Sequence, residues 1–263
     1  MTVPLGLVLN GIDAFILVFI RLTGLFIMTP IFGRRNMPVY FKIGFSFLLA
    51  LILINTIPMP KLDYYDSIYG YGFLAVKEFL VGITIGYVSY LIFSAIYVAG
   101  QIIDMQVGFG LVNVLDPISN IQAPITSNFY FIISMLVFLT IDGHHMIIRA
   151  LFDSYRYIPI GGAVFNGNLM DNIIRLFSDT FVIAFKISAP VVAAILITDV
   201  AQGVITRTIP QINVFIVGMP LKIALGIVVM MIIIPMLITA IFSLTGSMAG
   251  ETANFIKNMG MNK

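Results

Sequence analysis

Cysteine is absent from the 263 residues, histidine occurs twice, and Asp, Glu, Lys and Arg together make up 10% of the chain. The first absence removes disulfides, thiolate metal sites and thiol nucleophiles. The two histidines are neighbours, His144 and His145, without the i, i+4 spacing and accompanying acid of a helical metal site. They read as a polar cluster at a helix end, and no cofactor is implied. The shortage of charge excludes more. Soluble domains carry about 25% charged and about 45–50% apolar residues, whereas this chain is 60% apolar with a mean hydropathy of +1.06. No stretch of about a hundred residues has the composition of a soluble domain, so the chain is of the membrane class. The net charge of +2 is small and scattered and makes no electrostatic footprint for nucleic acid or for acidic lipid. GxSxG elbows, P-loops and GxGxxG followed by a ribose-binding acid are also missing, so catalysis has no visible apparatus. Residues 1–11 hold no Lys or Arg ahead of the first apolar run, which leaves out the basic region of a cleavable signal peptide.

What is present is apolar helix. Four stretches lack Asp, Glu, Lys and Arg altogether, 43–60, 79–103, 117–141 and 223–250, against the roughly 20 residues that cross a bilayer core. Two more apolar runs carry charges, Asp13 and Arg21 in the first, Arg175, Asp179, Lys186 and Asp199 in the other. The pattern predicts an all-α chain of about six long helices near 10–29, 40–58, 74–100, 126–151, 170–202 and 215–243. Runs this long without period-two alternation are not strands. Breakers are expected at Pro30 and Gly33, Pro58 and Pro60, Pro117 and Pro124, 159–162, and Pro210, Gly218 and Pro220. Leu244, Met248, Phe255 and Met259 fall on one helical face, a tail suited to a partner or a membrane surface. If the helices cross in turn, Arg34, Arg35, Lys42, Arg207 and Lys222 oppose Lys61, Lys77, Arg149, Arg156, Arg175, Lys257 and Lys263. That balance sets no orientation by the positive-inside rule, so either some hairpins do not cross or partners hold the chain.

Residues 100–111, Gly-Gln-Ile-Ile-Asp-Met-Gln-Val-Gly-Phe-Gly-Leu, join two apolar helices with no Lys or Arg. Gly108 and Gly110 can take backbone angles closed to other residues, so a sharp, non-helical connection presenting Phe109 and Leu111 is expected. Irregular backbone among membrane helices is tolerated where protein buries it or where it lines a wet cavity, which points to a pore or a binding site; an ordinary loop ahead of Asp116-Pro117 is the alternative. Arg21, Asp104, Lys186 and Asp199 are ionisable groups in or beside apolar runs, read as structural ion pairs in preference to a relay. Gly82 with Gly86, and Gly246 with Gly250, are spaced for close helix approach. Met230, Met231 and Met236 cluster on the last long helix and suit adaptable packing.

Three stretches resemble one family. They are Arg21 through Thr29-Pro30-Ile31-Phe32-Gly33 to Pro38 and Lys42; Gly100-Gln101 through Gln106 and Gly108 to Asp116-Pro117; and Arg207-Thr208-Ile209-Pro210-Gln211-Ile212-Asn213-Val214-Phe215-Ile216-Val217-Gly218-Met219-Pro220-Leu221-Lys222 followed by Gly226. With Phe138-Leu139-Thr140, Asp142-Gly143-His144 and Ile158-Pro159-Ile160-Gly161 in the same order, the chain resembles the FliR-type flagellar biosynthesis proteins and their type III secretion counterparts. The resemblance implies a non-enzymatic subunit of the export gate. Its helix hairpins would be assembled with FliP-like and FliQ-like subunits into a helical cone, near FlhB-like and FlhA-like components, in the bacterial inner membrane at the flagellar basal body. It implies that residues 1–165 are FliP-like and 166–263 FliQ-like. It also implies a plug loop between the third and fourth helices, made here by Met105, Gly108, Phe109, Gly110, Leu111, Val112, Asn113 and Val114, closing a path for unfolded exported proteins. An apolar ring there would block ions by dewetting. Arg207, Pro210, Gln211, Asn213 and Pro220 are expected at subunit contacts, because prolines break the helix pair and leave backbone groups in need of partners. The rival class is a secondary transporter with broken helices around Gly100–Gly110 and Pro210–Pro220.

Overall fold

The computed structural model describes residues 5–33, 37–57, 68–110, 124–209 and 214–260. Seven helices run through them, and no strand occurs among the described residues: α1 Leu5–Met28, α2 Val39–Ile54, α3 Ile68–Val107, α4 Ile125–Thr140, α5 Gly143–Tyr157, α6 Gly167–Thr208 and α7 Val214–Gly260. The all-α expectation holds. The predicted fourth helix is two, α4 and α5, parted at Asp142, which sits in the left-handed region at φ 56° ahead of Gly143. Gly218 and Pro220 are not breaks, since α7 runs through Pro220 and Pro235, and α6 runs through Pro190. Each proline removes one bond to the carbonyl four residues earlier, a loss that apolar helix neighbours and Ser or Thr side chains accommodate. The tail that looked separate is the end of α7.

Four of these helices are long and apolar enough to cross a membrane, or five if the broken pair α4 and α5 forms one span. Contacts divide the chain into two compact units. The first takes in Met1–Leu91, Asp142–Leu176 and Gly246–Lys263, the second Ile92–Ile141 and Phe177–Thr245, so α3, α6 and α7 each contribute to both.

In the first unit, Ala14, Leu17, Val18, Leu22 and Leu25 recur at helical spacing on α1 and are buried with Val81, Ile85 and Val88 of α3. Gly82 and Gly86 make the close approach predicted for them. A methyl group on Gly82 would collide with the Arg21 carbonyl, and one on Gly86 would lie 2.8 Å from the Leu25 carbonyl oxygen. Gly246 and Gly250 have open space around them instead. α2 lies on α1 through Phe rings, Phe15 and Phe19 against Phe47, and Phe26 against Phe45. The tail residues Met248, Phe255 and Met259 are buried within this unit, so their apolar face meets the chain's own helices, and Val164 N–H donates to the Met259 carbonyl at 2.9 Å.

In the second unit the core is a set of helical stripes: Ile96, Ala99, Ile103 and Val107 on α3, Tyr130 on α4, Ala184, Ile187, Val191 and Ile195 on α6, and Leu237 and Ile241 on α7. Gly226 of α7 admits Val107, whose Cγ2 would be 2.8 Å from a Cβ placed there.

Candidate functional site

The connection between α3 and α4 has anchored roots. Pro124 precedes α4 and no side chain of the helix's own start caps it, so its first N–H groups need outside acceptors. Asp104, in the last turn of α3, supplies them. Thr126 N–H donates to its Oδ1 at 2.9 Å, and Ser127 donates to Oδ2 from its backbone N–H at 3.3 Å and its hydroxyl at 3.4 Å. Asp104 is 5% exposed, and a buried anion at a helix N-terminus is favoured by the peptide dipoles aimed at it. The approach depends on Gly100, one turn earlier, where a methyl group would collide with Ser127 Cα. On the other side of Asp104, Gly108 ends α3 with φ 95° and donates its N–H to the Asp104 carbonyl at 3.1 Å. Asp104 thus takes part at both roots of the connection, through its carbonyl and its carboxylate.

The predicted loop residues divide. Helix continues through Gln101 to Val107, so the connection turns non-helical later than expected, at Gly108; Phe109 and Gly110 are helical again. Met105 is 74% exposed. Phe109 is packed against the core of the second unit rather than presented outward, and Gly110 is exposed with open space around it. Leu111, Val112, Asn113 and Val114 lie outside the described residues, as do Pro210, Gln211 and Asn213.

Around that second segment the ends of α6 and α7 are tied together. Asp199 pairs with Lys222, and the Gln202 side-chain amide donates to the Gly218 carbonyl at 3.2 Å. The ion pair was foreseen for Asp199 as a class, without its partner. Arg207 and Pro220 are exposed, and among the described residues Arg207 has no acid within ion-pair distance. The exposed Lys186 has none either.

A second buried polar cluster holds the first unit. Arg21, fully buried, donates from Nε to Glu78 Oε2 at 2.6 Å, from Nη1 to Ser154 Oγ at 3.1 Å, and from Nη1 and Nη2 to the Ile158 carbonyl at 3.2 Å. Its guanidinium lies 3.9 Å from the Tyr155 ring centroid. Glu78 accepts a further bond, from Gly161 N–H at 2.7 Å, where Gly161 holds φ 77°. All three guanidinium nitrogens and both Glu78 oxygens bond to other protein groups, which marks a structural ion pair and not an open relay. Glu78, Ser154 and Tyr155 were missed in the sequence, and Gly161 was singled out there as a breaker within a family-like stretch and not as a partner of this cluster. The available signal was that an Arg in an apolar run needs an acid, and Glu78 stands at the edge of the charge-free run 79–103. At the start of α5, His145 Nδ1 lies 3.3 Å from Asp142 Oδ1. Asp142, His144 and His145 bring their ligand atoms within 4.8 Å of one another, but at a helix N-terminus, where the dipole disfavours a cation.

Comparison with known proteins gives a single direction. Residues 12–248 match the family model described as bacterial export proteins, family 1. Among curated relatives, the flagellar biosynthetic protein FliR of Bacillus subtilis is 39% identical over 246 residues, covering 90% of this chain and 93% of the relative. FliR of Escherichia coli is 27% identical over 232 residues, 87% of each, and that of Aquifex aeolicus 28% identical over 223 residues, 84% of this chain and 85% of the relative. With the family model spanning nearly the whole chain, the protein belongs to family 1 of the bacterial export proteins, the FliR-type flagellar biosynthesis family.

Proposed function

We propose that this chain is a non-enzymatic core subunit of the type III export gate. In this reading it works in the inner membrane at the flagellar basal body and forms part of the conduit for unfolded flagellar proteins. FliP-like and FliQ-like subunits assemble with it, with FlhB-like and FlhA-like components as neighbours; residues 1–165 take the FliP-like role and 166–263 the FliQ-like one. The segment around Met105, Gly108, Phe109 and Gly110, continuing through Leu111, Val112, Asn113 and Val114, is the plug.

The observation that carries the reading is the Asp104 anchor. A gate loop has to move or yield while its roots stay fixed, and here one buried side chain reaches across to hold the far root while Gly108 supplies the turn at the near one. Apolar closure follows from the segment's composition: Phe, Leu and Val with no charge between Met105 and Leu115 make a constriction that water leaves readily and an unfolded chain can part. Arg207, Pro210, Gln211, Asn213 and Pro220 form the subunit contact in this reading, with Arg207, which has no acid in ion-pair range among the described residues, meeting an acid of a neighbour.

The test is to co-express the chain with FliP-like and FliQ-like partners, purify through a tag on this chain alone, and weigh the particle by native mass spectrometry. A discrete hetero-oligomer is expected, and Arg207→Glu should lose partners from it. A clean, stable particle of this chain alone would favour the transporter reading, and a hetero-oligomer indifferent to Arg207→Glu would remove Arg207 from the contact.

A further inference from the structure

Charges that are scattered in the sequence converge in the first unit. Arg149 and Arg156 on α5 and Lys257 near the end of α7 line one cavity of about 640 Å³. Asp153 is the acid lining it among the described residues, and Arg156 lies 3.8 Å from that carboxylate. Arg149 and Lys257 are exposed and have no acid in ion-pair range among the described residues, so the cavity carries an excess of positive charge. Apart from Tyr157 its remaining lining is apolar, with the small side chains of Ala150, Ala249 and Ala253 making an alanine slot beside Met146 and Ile256.

α5 itself is amphipathic: Ile147, Leu151 and Tyr155 are buried, whereas Arg149, Asp153 and Arg156 are on the opposite side and line the cavity. The apolar face of α5 is taken up by the protein's own core, which leaves its basic face to line the cavity.

We propose that this groove binds an acidic phospholipid. Arg149 and Lys257, with Arg156 beside them, take the phosphate as charge-assisted donors, and an acyl chain runs along the alanine slot. A cationic rim above a narrow apolar wall matches an amphiphile, with its charge at one end and methylenes at the other. The small net charge of the whole sequence concealed the site, because its cations come from two helices a hundred residues apart in the chain and become a patch only on folding.

The particle carrying the full chain, with whatever partners it holds, is titrated in neutral detergent with dioleoylphosphatidylglycerol or dioleoylphosphatidylcholine, and bound lipid is read by native mass spectrometry. Phosphatidylglycerol should bind about tenfold or more tighter than phosphatidylcholine, from the attraction of anionic lipid for each added cation. Arg149→Gln with Lys257→Gln should remove most of that preference, whereas Arg149→Lys with Lys257→Arg should keep it. If the glutamine pair does not fold, the wild-type lipid preference and the charge-keeping pair decide. Equal binding of the two lipids, or an unchanged preference in a folded glutamine pair, overturns the proposal. Displacement of phosphatidylglycerol by equimolar glycerol phosphate would assign the site to a soluble anion. Loss of protein partners in the glutamine pair with lipid binding intact would assign it to a protein. Either result also overturns the proposal.

Discussion

Arg21 keeps its charge inside the protein because each of its three guanidinium nitrogens donates a hydrogen bond. The arrangement is stable as a set and costly in parts. Removing Glu78 as Ala leaves a buried guanidinium without its counter-charge and Gly161 N–H without an acceptor, a loss of about 3–5 kcal/mol by the behaviour of broken buried pairs. Replacing both partners by apolar residues, Arg21→Met with Glu78→Leu, should cost much less. Thermal unfolding in detergent would compare the two; a single variant no worse than the double would show that the pair is not coupled. Asp104 is different in kind, since its partners are backbone N–H groups. Asp104→Ala should loosen the first turn of α4 by about 1–2 kcal/mol, the usual worth of a helix cap, and Asp104→Asn should fall between that variant and the wild type, since its single carbonyl can accept from only one of the Thr126 and Ser127 N–H groups that now use separate oxygens. Amide hydrogen exchange at Thr126 and Ser127 reads this directly, and equal protection in Asp104→Ala and the wild type would mean that the carboxylate anchors nothing.

At the scale of elements, length is the informative quantity. α3, α6 and α7 have 40, 42 and 47 residues, so each would measure about 60–70 Å at 1.5 Å per residue, twice the roughly 30 Å of a hydrocarbon core. Such helices extend well beyond a single bilayer crossing, in keeping with the near balance of Lys and Arg between helix ends. The proposed plug belongs to this scale, because its roots are helix ends. Deleting residues 108–114 should leave a gate that still assembles but conducts ions in a reconstituted bilayer; unchanged conductance would remove the plug role. The charge-free runs made most of these helices legible, since a span in lipid needs apolar residues throughout. Their limits were less legible. Asp142 and Gly143 break a helix inside a mostly apolar stretch with no proline to mark the place, and Pro220 marks a break that does not occur, because tertiary neighbours tolerate a missing backbone bond. The site was half legible in the same way. Asp104 stood out as an acid beside an apolar run, but its partners are main-chain groups that leave no trace in residue identity, and Glu78 was masked by Lys77 at the run's edge.

For the molecule as a whole, the decisive property is apolar surface left open. Two thirds of the membrane-length window of α3 is buried (67%), against 22% for that of α7, and Ile216, Met231, Ile232 and Met236 of α7 are each more than half exposed. Apolar surface of this extent is not carried bare in water and fits lipid or apolar neighbours. The buried arginine has a further consequence, for how the chain enters a membrane during synthesis. α1 leaves the ribosome carrying Arg21 without the Glu78 that pairs with it in the fold, a cation that costs about 2.5–3.5 kcal/mol to place at the centre of a bilayer. Its counter-charge is 57 residues downstream, about 3–11 s away at 5–20 residues per second. Nascent chains arrested before Glu78 should therefore release α1 to alkaline extraction, and chains arrested after α3 should retain it; extraction that ignores the arrest point would contradict this. The insertion step is then the joint entry of α1 and α3, with α2 carried between them, and translation speed across that interval becomes a determinant of correct biogenesis.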